Sequence, residues 1–231
     1  MTGRALPIIG VLAFVAVGFA HGAEPAVPST VITFDGDEPG RPPSGFTTAV
    51  TGGGGLGSWI VREDPSAPSG KKVLVQASAE KTSGRFPLCI YDAMSAADLT
   101  LVVEFKPMSG TIDQAAGLVW RYQNPANYYL VRANALEGNV VLYKVENGKR
   151  SDLKPLGSGW LTYGKKATVE RGRWQTLSVQ VHGSRFRVAL DGEHLFDVED
   201  TTFRVPGKVG FWTKADSVTA FDDLKVQVTP P

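Results

Sequence analysis

From Thr30 onward, apolar side chains recur at every second position, and this period of two confines the chain to sheet structure. Leu99, Leu101, Val103 and Phe105 alternate with Thr100, Val102, Glu104 and Lys106. Leu177, Val179 and Val181 alternate with Ser178, Gln180 and His182, and Phe186, Val188 and Leu190 with Arg187 and Ala189. Turn-forming residues separate these runs. Asn147-Gly148 and Asp191-Gly192 suit the two-residue hairpin turn that requires positive φ, Gly183-Ser184 suits its sibling, and Glu137-Gly138-Asn139 makes a slightly longer loop. Turn signals about 8 to 12 residues apart are the pattern of an all-β sandwich or barrel. A first strand over 31–35 precedes the Gly- and Pro-rich stretch 36–57, and Trp59, Ile60 and Val61 resume a strand directly after it, so that stretch reads as a loop inside one domain. The four glycines 52–55 lack the helix start and Lys-Ser/Thr that a phosphate-cradling loop needs.

Residues 1–22 have the layout of a signal peptide: Arg4, an apolar run from Ala5 to Ala20, then small residues at Ala20, Gly22 and Ala23. The run falls short of the roughly 20 apolar residues of a membrane span. These features predict a secreted or periplasmic protein, not integral to the membrane, with 23–231 forming a single domain. With 24 Lys+Arg against 23 Asp+Glu, the chain has no basic excess to attract nucleic acid. Cys89 is the only cysteine, which excludes an internal disulfide, and within Pro-Leu-Cys-Ile-Tyr it reads as a small buried hydrophobe.

One carboxylate breaks the pattern. Near the C-terminus Val218, Ala220, Leu224, Val226 and Val228 share a face by parity, and Asp222 falls on it too. A buried charge costs several kcal/mol unless it is paired, hydrogen-bonded, protonated or metal-bound. Asp35 and Asp37, near the other end of the chain, would complete with Asp222 an oxygen-only site of the kind Ca²⁺ takes, so a structural calcium is expected there. The alternative is a carboxylate held by backbone N–H groups or an arginine.

A second anomaly is polar. If Leu101, Val103, Phe105, Leu118, Trp120, Tyr122, Val141, Tyr143, Val209 and Phe211 point inward, parity sends Glu104, Lys106, Arg121, Gln123, Lys144, Trp212 and Lys214 outward. With Tyr129, Val131 and Ala133 inward, Arg132 and Asn134 join them. An aromatic plate beside planar donors and acceptors is the mixture that recognises sugars. The expected ligand site is therefore Glu104, Arg121, Arg132, Asn134, Trp212 and Lys214, with Trp212 stacking and Glu104 orienting. If the two arginines and Asn134 line an open groove, replacing each with Ala costs no more than about 1 kcal/mol of stability. The competing reading is a solvated face with cross-strand charge pairs.

The blocks AGLVWRYQNPANYYLVRANALEGNVVLYKVENGKR and GKVGFWTKADSVTAFDDLKV resemble secreted bacterial proteins of the concanavalin A-like lectin/glucanase fold, a two-sheet antiparallel jelly roll. These lie near laminin-G-like domains and the family-16 glycosidase-related and 3-keto-disaccharide hydrolase domains. The resemblance implies a curved sheet whose concave face handles carbohydrate, and a structural calcium between an acidic residue on the first strand and an Asp on the last. The Glu, Asp and Glu at alternate positions that mark family-16 glucanases do not occur in the chain. Gln180-Val181-His182 matches the Gln-x-His strand of alginate lyases of this fold, without the Arg-rich and Tyr-Lys strands that accompany it. The reading is a carbohydrate-binding module without catalysis. The alternatives are a glycoside hydrolase using Glu104 or Asp113, a polysaccharide lyase using His182, and a structural adhesion module.

Overall fold

The computed structural model describes residues 29–229, so the expected signal peptide lies outside the described residues. Sixteen strands form among them and no helix. In chain order they are β1 (Ser29–Ile32), β2 (Phe46–Gly52), β3 (Trp59–Glu63), β4 (Lys72–Gln76), β5 (Arg85–Ala96), β6 (Leu99–Ser109), β7 (Ala115–Asn124) and β8 (Asn127–Asn134), followed by β9 (Asn139–Glu146), β10 (Lys149–Leu153), β11 (Lys165–Lys166), β12 (Gln175–His182), β13 (Arg185–Leu190), β14 (Glu193–Glu199), β15 (Gly207–Trp212) and β16 (Val218–Val228). All pairings are antiparallel and make two sheets. Sheet I runs β14-β13-β12-β6-β16-β4-β3 with β1 beside β16, and sheet II runs β10-β9-β8-β7-β15-β5-β2 with β11 beside β9. The hairpin turns hold the positive φ that their residues predict, at Asn147 and Gly148 (51° and 77°) and at Asp191 and Gly192 (50° and 78°). The first strand ends at Ile32, three residues short of the expected Asp35.

The main core lies between the sheets. Leu99, Leu101, Val103, Phe105, Leu177, Val179 and Phe186 of sheet I face Leu118, Trp120, Tyr129, Val131, Leu142, Val209 and Phe211 of sheet II, all at most 1% exposed. Each such side chain contributes about 1.5–3 kcal/mol on leaving water. Sheet II carries a second apolar cluster on its other face: Leu88, Ile90, Val119, Tyr128, Leu130, Val141, Tyr143, Val145 and Trp212, with Phe86 and Tyr122 against it.

Two parity expectations are corrected here. Val141 and Tyr143 belong to the second cluster, because Val140 and Leu142 are also apolar and it is these that enter the core. Tyr122 also changes face, because the β7–β8 register shifts between Trp120 and Asn124.

That shift is a bulge built on Arg121, which takes φ 47°. Arg121 is 1% exposed, at the base of a hollow lined by Ala97, Asp98, Gly183, Ser184 and Arg204. Its Nε donates to Ala97 O (2.9 Å), Nη1 to Phe203 O (2.6 Å), and Nη2 to Gly183 O (2.6 Å) and Asp98 Oδ1 (3.1 Å). One guanidinium thus ties the β5–β6 turn, the β12–β13 turn and the segment before β15 to the bulge. The expected ligand role for Arg121 gives way to a structural one, because the buried guanidinium already spends four of its five N–H groups on protein oxygens. Arg121→Ala is therefore expected to cost about 3 kcal/mol or more, since it strips carbonyls and Asp98 of a charged donor. Urea unfolding checks this, and a loss below about 1 kcal/mol contradicts it.

Candidate functional site

Sheet II rolls until side chains far apart in its strand order touch. Thr51 on β2 and Tyr128 on β8 are separated by β5, β15 and β7, yet their hydroxyls are 2.8 Å apart. Thr51 Oγ1 donates its proton to Pro125 O (2.6 Å), so Tyr128 supplies the proton of the pair. Burial pushes the Tyr128 phenol up to about 12. Arg150 on β10 closes the roll further. Its guanidinium carbon sits 4.5 Å from the ring centroids of both Phe86 and Tyr143 and 5.6 Å from that of Trp212. The hollow of the sheet is filled by its own aromatic residues.

Trp212 is accordingly 0% exposed. Its indole stacks on Phe86 (5.4 Å, 17°), and its buried Nε1–H has no hydrogen-bond partner. Gly117 stands between Trp212 and Arg132 in the register, and a Cβ there would lie 3.2 Å from the indole. The absence of a side chain lets the ring lie across β7. The indole expected to stack on a sugar packs instead against its own sheet.

Polar residues gather beside this apolar filling, on the same face. Arg132 is 0% exposed and makes a two-pronged pair with Glu137, Nη1 to Oε1 at 2.9 Å and Nη2 to Oε2 at 2.8 Å, while Nη2 also donates to Asn139 Oδ1 at 2.6 Å. Its guanidinium carbon is 5.6 Å from the Tyr143 ring and 5.8 Å from the Tyr163 ring, and the two tyrosine hydroxyls share a hydrogen bond. Burial opposes the charge on Arg132, but Tyr143 and Glu137 more than restore it. Burial likewise raises Glu137, and the Arg132 bonds overcome that to hold its carboxyl below the usual range.

Asn134, also 0% exposed, links the cluster together. Its Oδ1 accepts from the N–H groups of Leu136 (2.9 Å) and Glu137 (3.3 Å), fixing the turn before β9. Its Nδ2 donates both to Glu137 Oε1 (3.1 Å) and to Asp113 Oδ1. Lys214 Nζ then meets Asp113 Oδ2 at 2.5 Å. Asp113 is positioned from below by Asp216, whose carboxylate accepts from the N–H groups of Thr111, Ile112 and Asp113 at 2.7–3.0 Å. The result is a network of two carboxylates, an amide pair, a guanidinium and an ammonium, in which the Glu137 and Lys214 side chains are 35% and 18% exposed.

Of the six expected ligand residues, Arg132, Asn134, Trp212 and Lys214 share this face. Arg121 is placed elsewhere by its bulge. Glu104 lies on β6 in sheet I, where it accepts from Thr176 Oγ1 (2.9 Å), so it cannot meet the others; consecutive β6 and β7 belong to different sheets. Gln180 and His182 also lie in sheet I, with the His182 side chain 83% exposed. Glu137, Asn139, Tyr143 and Tyr163 were not singled out as ligands from the sequence. The Glu137-Gly138-Asn139 turn was visible, but nothing in its spacing says that its carboxylate folds back onto Arg132.

The expected calcium residues are partly assembled. Asp222 is 0% exposed; its Oδ1 accepts from Asp223 N (2.9 Å) and its Oδ2 has no partner. Burial, followed by the charges of Asp223 and Asp35, pushes it up to about 7. Gly70 passes so close to Asp35 that a Cβ would fall 1.8 Å from its Oδ2. Asp222 fits a cation through its unpartnered Oδ2, and Asp35 fits one only through its Oδ2, because its Oδ1 already accepts from the N–H groups of Lys71 (2.8 Å) and Lys72 (3.1 Å). The Asp37 carboxylate does not, since its Oδ1 accepts from Ser44 N (3.2 Å), and Lys72 Nζ already holds the backbone oxygens of Asp35 (2.9 Å) and Asp37 (2.7 Å). No group of three or more His, Cys, Asp or Glu side chains among the described residues is arranged for a metal.

Sixteen antiparallel strands in two face-to-face sheets, one of them rolled around a polar cluster, define a jelly roll of the concanavalin A-like class. The chain belongs to the 3-keto-alpha-glucoside-1,2-lyase-like domain family, whose profile matches residues 40–227. Among solved structures it is similar to the carbohydrate-binding module CBM66 from Bacillus subtilis, with 21% identity and a TM-score of 0.59 over 79% of this chain and 95% of that one. It is also similar to a Bacillus subtilis protein of unknown function with a galectin-like fold, with 10% identity and a TM-score of 0.50 over 79% of this chain and 88% of the other. No curated protein matches it in sequence.

Two outcomes are expected. Arg132→Ala should cost about 2–3 kcal/mol in urea unfolding, because it removes the charged donor of Glu137 and Asn139, although Asn134 and Asn139 still donate to Glu137. A cost within about 1 kcal/mol, as an open groove requires, contradicts the buried pair. For Asp222, a folded pKa of about 7 lies above the unfolded value of about 3.9. Its stabilising contribution is complete below about pH 4 and is lost as pH rises through about 7. In chelator, the melting temperature should fall between pH 5 and 7.5 for the wild type and fall less for Asp222→Asn; parallel profiles overturn this.

Proposed function

We propose that the chain is an exported carbohydrate-binding jelly roll whose ligand site is the polar cluster of sheet II, with Glu137 and Lys214 as the contacting groups and the buried Arg132, Asn134 and Asp113 holding them in place. The observation that carries the reading is the Asn134 amide, which holds two carboxylates together beside Lys214 and the Tyr143–Tyr163 pair while Glu137 and Lys214 keep contact with solvent. A sugar is recognised by planar acceptors and donors fixed in advance next to an aromatic wall, and here packing and hydrogen bonds fix every polar group. The fold shared with a carbohydrate-binding module and the glucoside-directed name of the family are in keeping with it. The apolar run 5–20 supports export. A calcium held by Asp35 and Asp222 would neutralise the unpartnered oxygen at the meeting of the first and last strands, and its role would be structural.

A second reading is an enzyme acting on a 3-keto-glucoside. The same pair of carboxylates favours it, since Asp113 and Glu137 accept from one nitrogen and Lys214 offers an ammonium beside them, a combination able to move a proton on a bound sugar. The two readings part on one experiment. Wild type, Glu137→Gln and Lys214→Met are titrated with glucose and a 3-keto-glucoside well below the melting temperature of each variant, and the keto sugar is then assayed for consumption. Binding that both substitutions weaken at least tenfold, with the sugar recovered intact, is the expected result. Consumption of the keto sugar by wild type and not by Glu137→Gln establishes the enzyme. Unchanged affinity in both variants removes the site altogether.

A further inference from the structure

Next to the polar cluster stands a loop with unusual surface chemistry. Residues 154–164, Lys-Pro-Leu-Gly-Ser-Gly-Trp-Leu-Thr-Tyr-Gly, connect β10 to β11. Trp160 is 78% exposed and Leu161 75%, whereas Trp59, Trp120 and Trp212 are at most 2% exposed. Large apolar side chains kept in water side by side mark a contact surface more often than chance.

The loop is not loose. Lys154 Nζ clamps its two ends by donating to Asp152 Oδ2 (2.6 Å) and Thr162 O (2.8 Å). Leu156 N donates to Asp197 O (2.8 Å) and Ser158 N to Pro155 O (3.1 Å). Thr162 N closes a turn on Gly159 O (2.9 Å), which makes Trp160 and Leu161 its two corner residues, directed away from the closing bond. Gly164, with φ 59°, packs so close to β9 that a Cβ would fall 2.2 Å from Val140 O. The residue before it is Tyr163, whose ring stands edge-on to Tyr143 (6.2 Å, 71°) and beside the Arg132 guanidinium. The loop thus begins and ends at fixed points, contributes a wall of the polar cluster, and holds an indole in solvent three residues away, a span of at most about 11 Å of chain.

We infer that Trp160, with Leu161, is a stacking platform for a second sugar unit of a glycan whose first unit occupies the Arg132–Glu137–Lys214 cluster, so that the ligand is an oligosaccharide and not a monosaccharide. The inference rests on the binding reading above and extends it to substrate length. A sugar fits this surface because a pyranose presents an apolar C–H face to an aromatic plate while its hydroxyls reach neighbouring polar groups, and the loop places both kinds of partner within that reach. The rigid backbone adds little ordering cost on binding.

The test uses glucose and the four-unit gluco-oligosaccharides maltotetraose and cellotetraose, titrated calorimetrically into wild type, Trp160→Ala, Trp160→Phe and Glu137→Gln. Trp160→Ala should weaken the better-bound tetraose about tenfold, leave glucose within about twofold, and leave the melting temperature unchanged; Trp160→Phe should keep most of the affinity. The tetraose should also shift the indole emission of wild type to the blue, and that shift should be absent in Trp160→Phe. If Trp160→Ala binds the tetraose as wild type does while Glu137→Gln loses it, the platform is overturned and the cluster stands. Equal losses for glucose and tetraose in Trp160→Ala also overturn it. If wild type binds none of the three, the binding reading fails and the platform with it.

Discussion

The pair formed by Arg132 and Glu137 is the constraint around which sheet II is organised. A guanidinium wholly removed from water needs most of its donors taken up, and three bonds run to both oxygens of Glu137 and to Asn139, while its Nε–H is buried without a partner. That demand fixes the turn between β8 and β9, because Glu137 has to fold back over the sheet to reach the arginine. Asn134 enforces the fold-back from inside by capping the same turn with its Oδ1. Asp113, Lys214 and Tyr163 then take their places against groups already held in position.

The rolling of sheet II explains why these groups form a compact cluster and not the lining of a long groove. Tyr128 reaches Thr51 across three intervening strands, and Arg150 bridges Phe86 and Tyr143, so the hollow that would otherwise receive a chain of sugars is packed with aromatic rings. Ligand contact moves to the groups that keep some exposure, Glu137 and Lys214, and to the loop that carries Tyr163 and Trp160. The opposite sheet has a different character. Its outer face carries a half-buried Glu104 and exposes Gln180 and His182, and Arg185, Arg187 and His194 surround Asp197; burial raises that carboxyl, and their bonds bring it down to about 2.

The alternation of Leu99 to Phe105 and of Leu177 to Val181 was enough to read strands and the inward face, because each has polar residues on its other side. Parity failed where that contrast was missing or broken. In Val140-Val141-Leu142-Tyr143 both faces are apolar, so the period does not choose between them. At Arg121 a single bulged residue sends Tyr122 to the opposite face, and nothing in Trp-Arg-Tyr-Gln announces it. Parity puts Glu104 on the same side as Arg132 but cannot assign strands to sheets, and the chain crosses from one sheet to the other between Ser109 and Ala115. Arg132, Asn134, Trp212 and Lys214 were legible as one face; their burial was not, since it arises from how far the sheet rolls, a property of all its strands together. Glu137 and Tyr163 come from turns, where periodicity carries no signal.

The central claim is a location: sugar meets this protein at the polar cluster of sheet II. Backbone amide shift mapping by NMR on the isotopically labelled chain, titrated with maltotetraose and cellotetraose, tests it most directly. The account predicts changes concentrated at residues 111–114, 132–139, 159–164 and 214, with the β12–β13 hairpin of sheet I unmoved. Changes centred on Gln180, His182, Arg185 and Arg187, or spectra that no gluco-oligosaccharide alters, would contradict it.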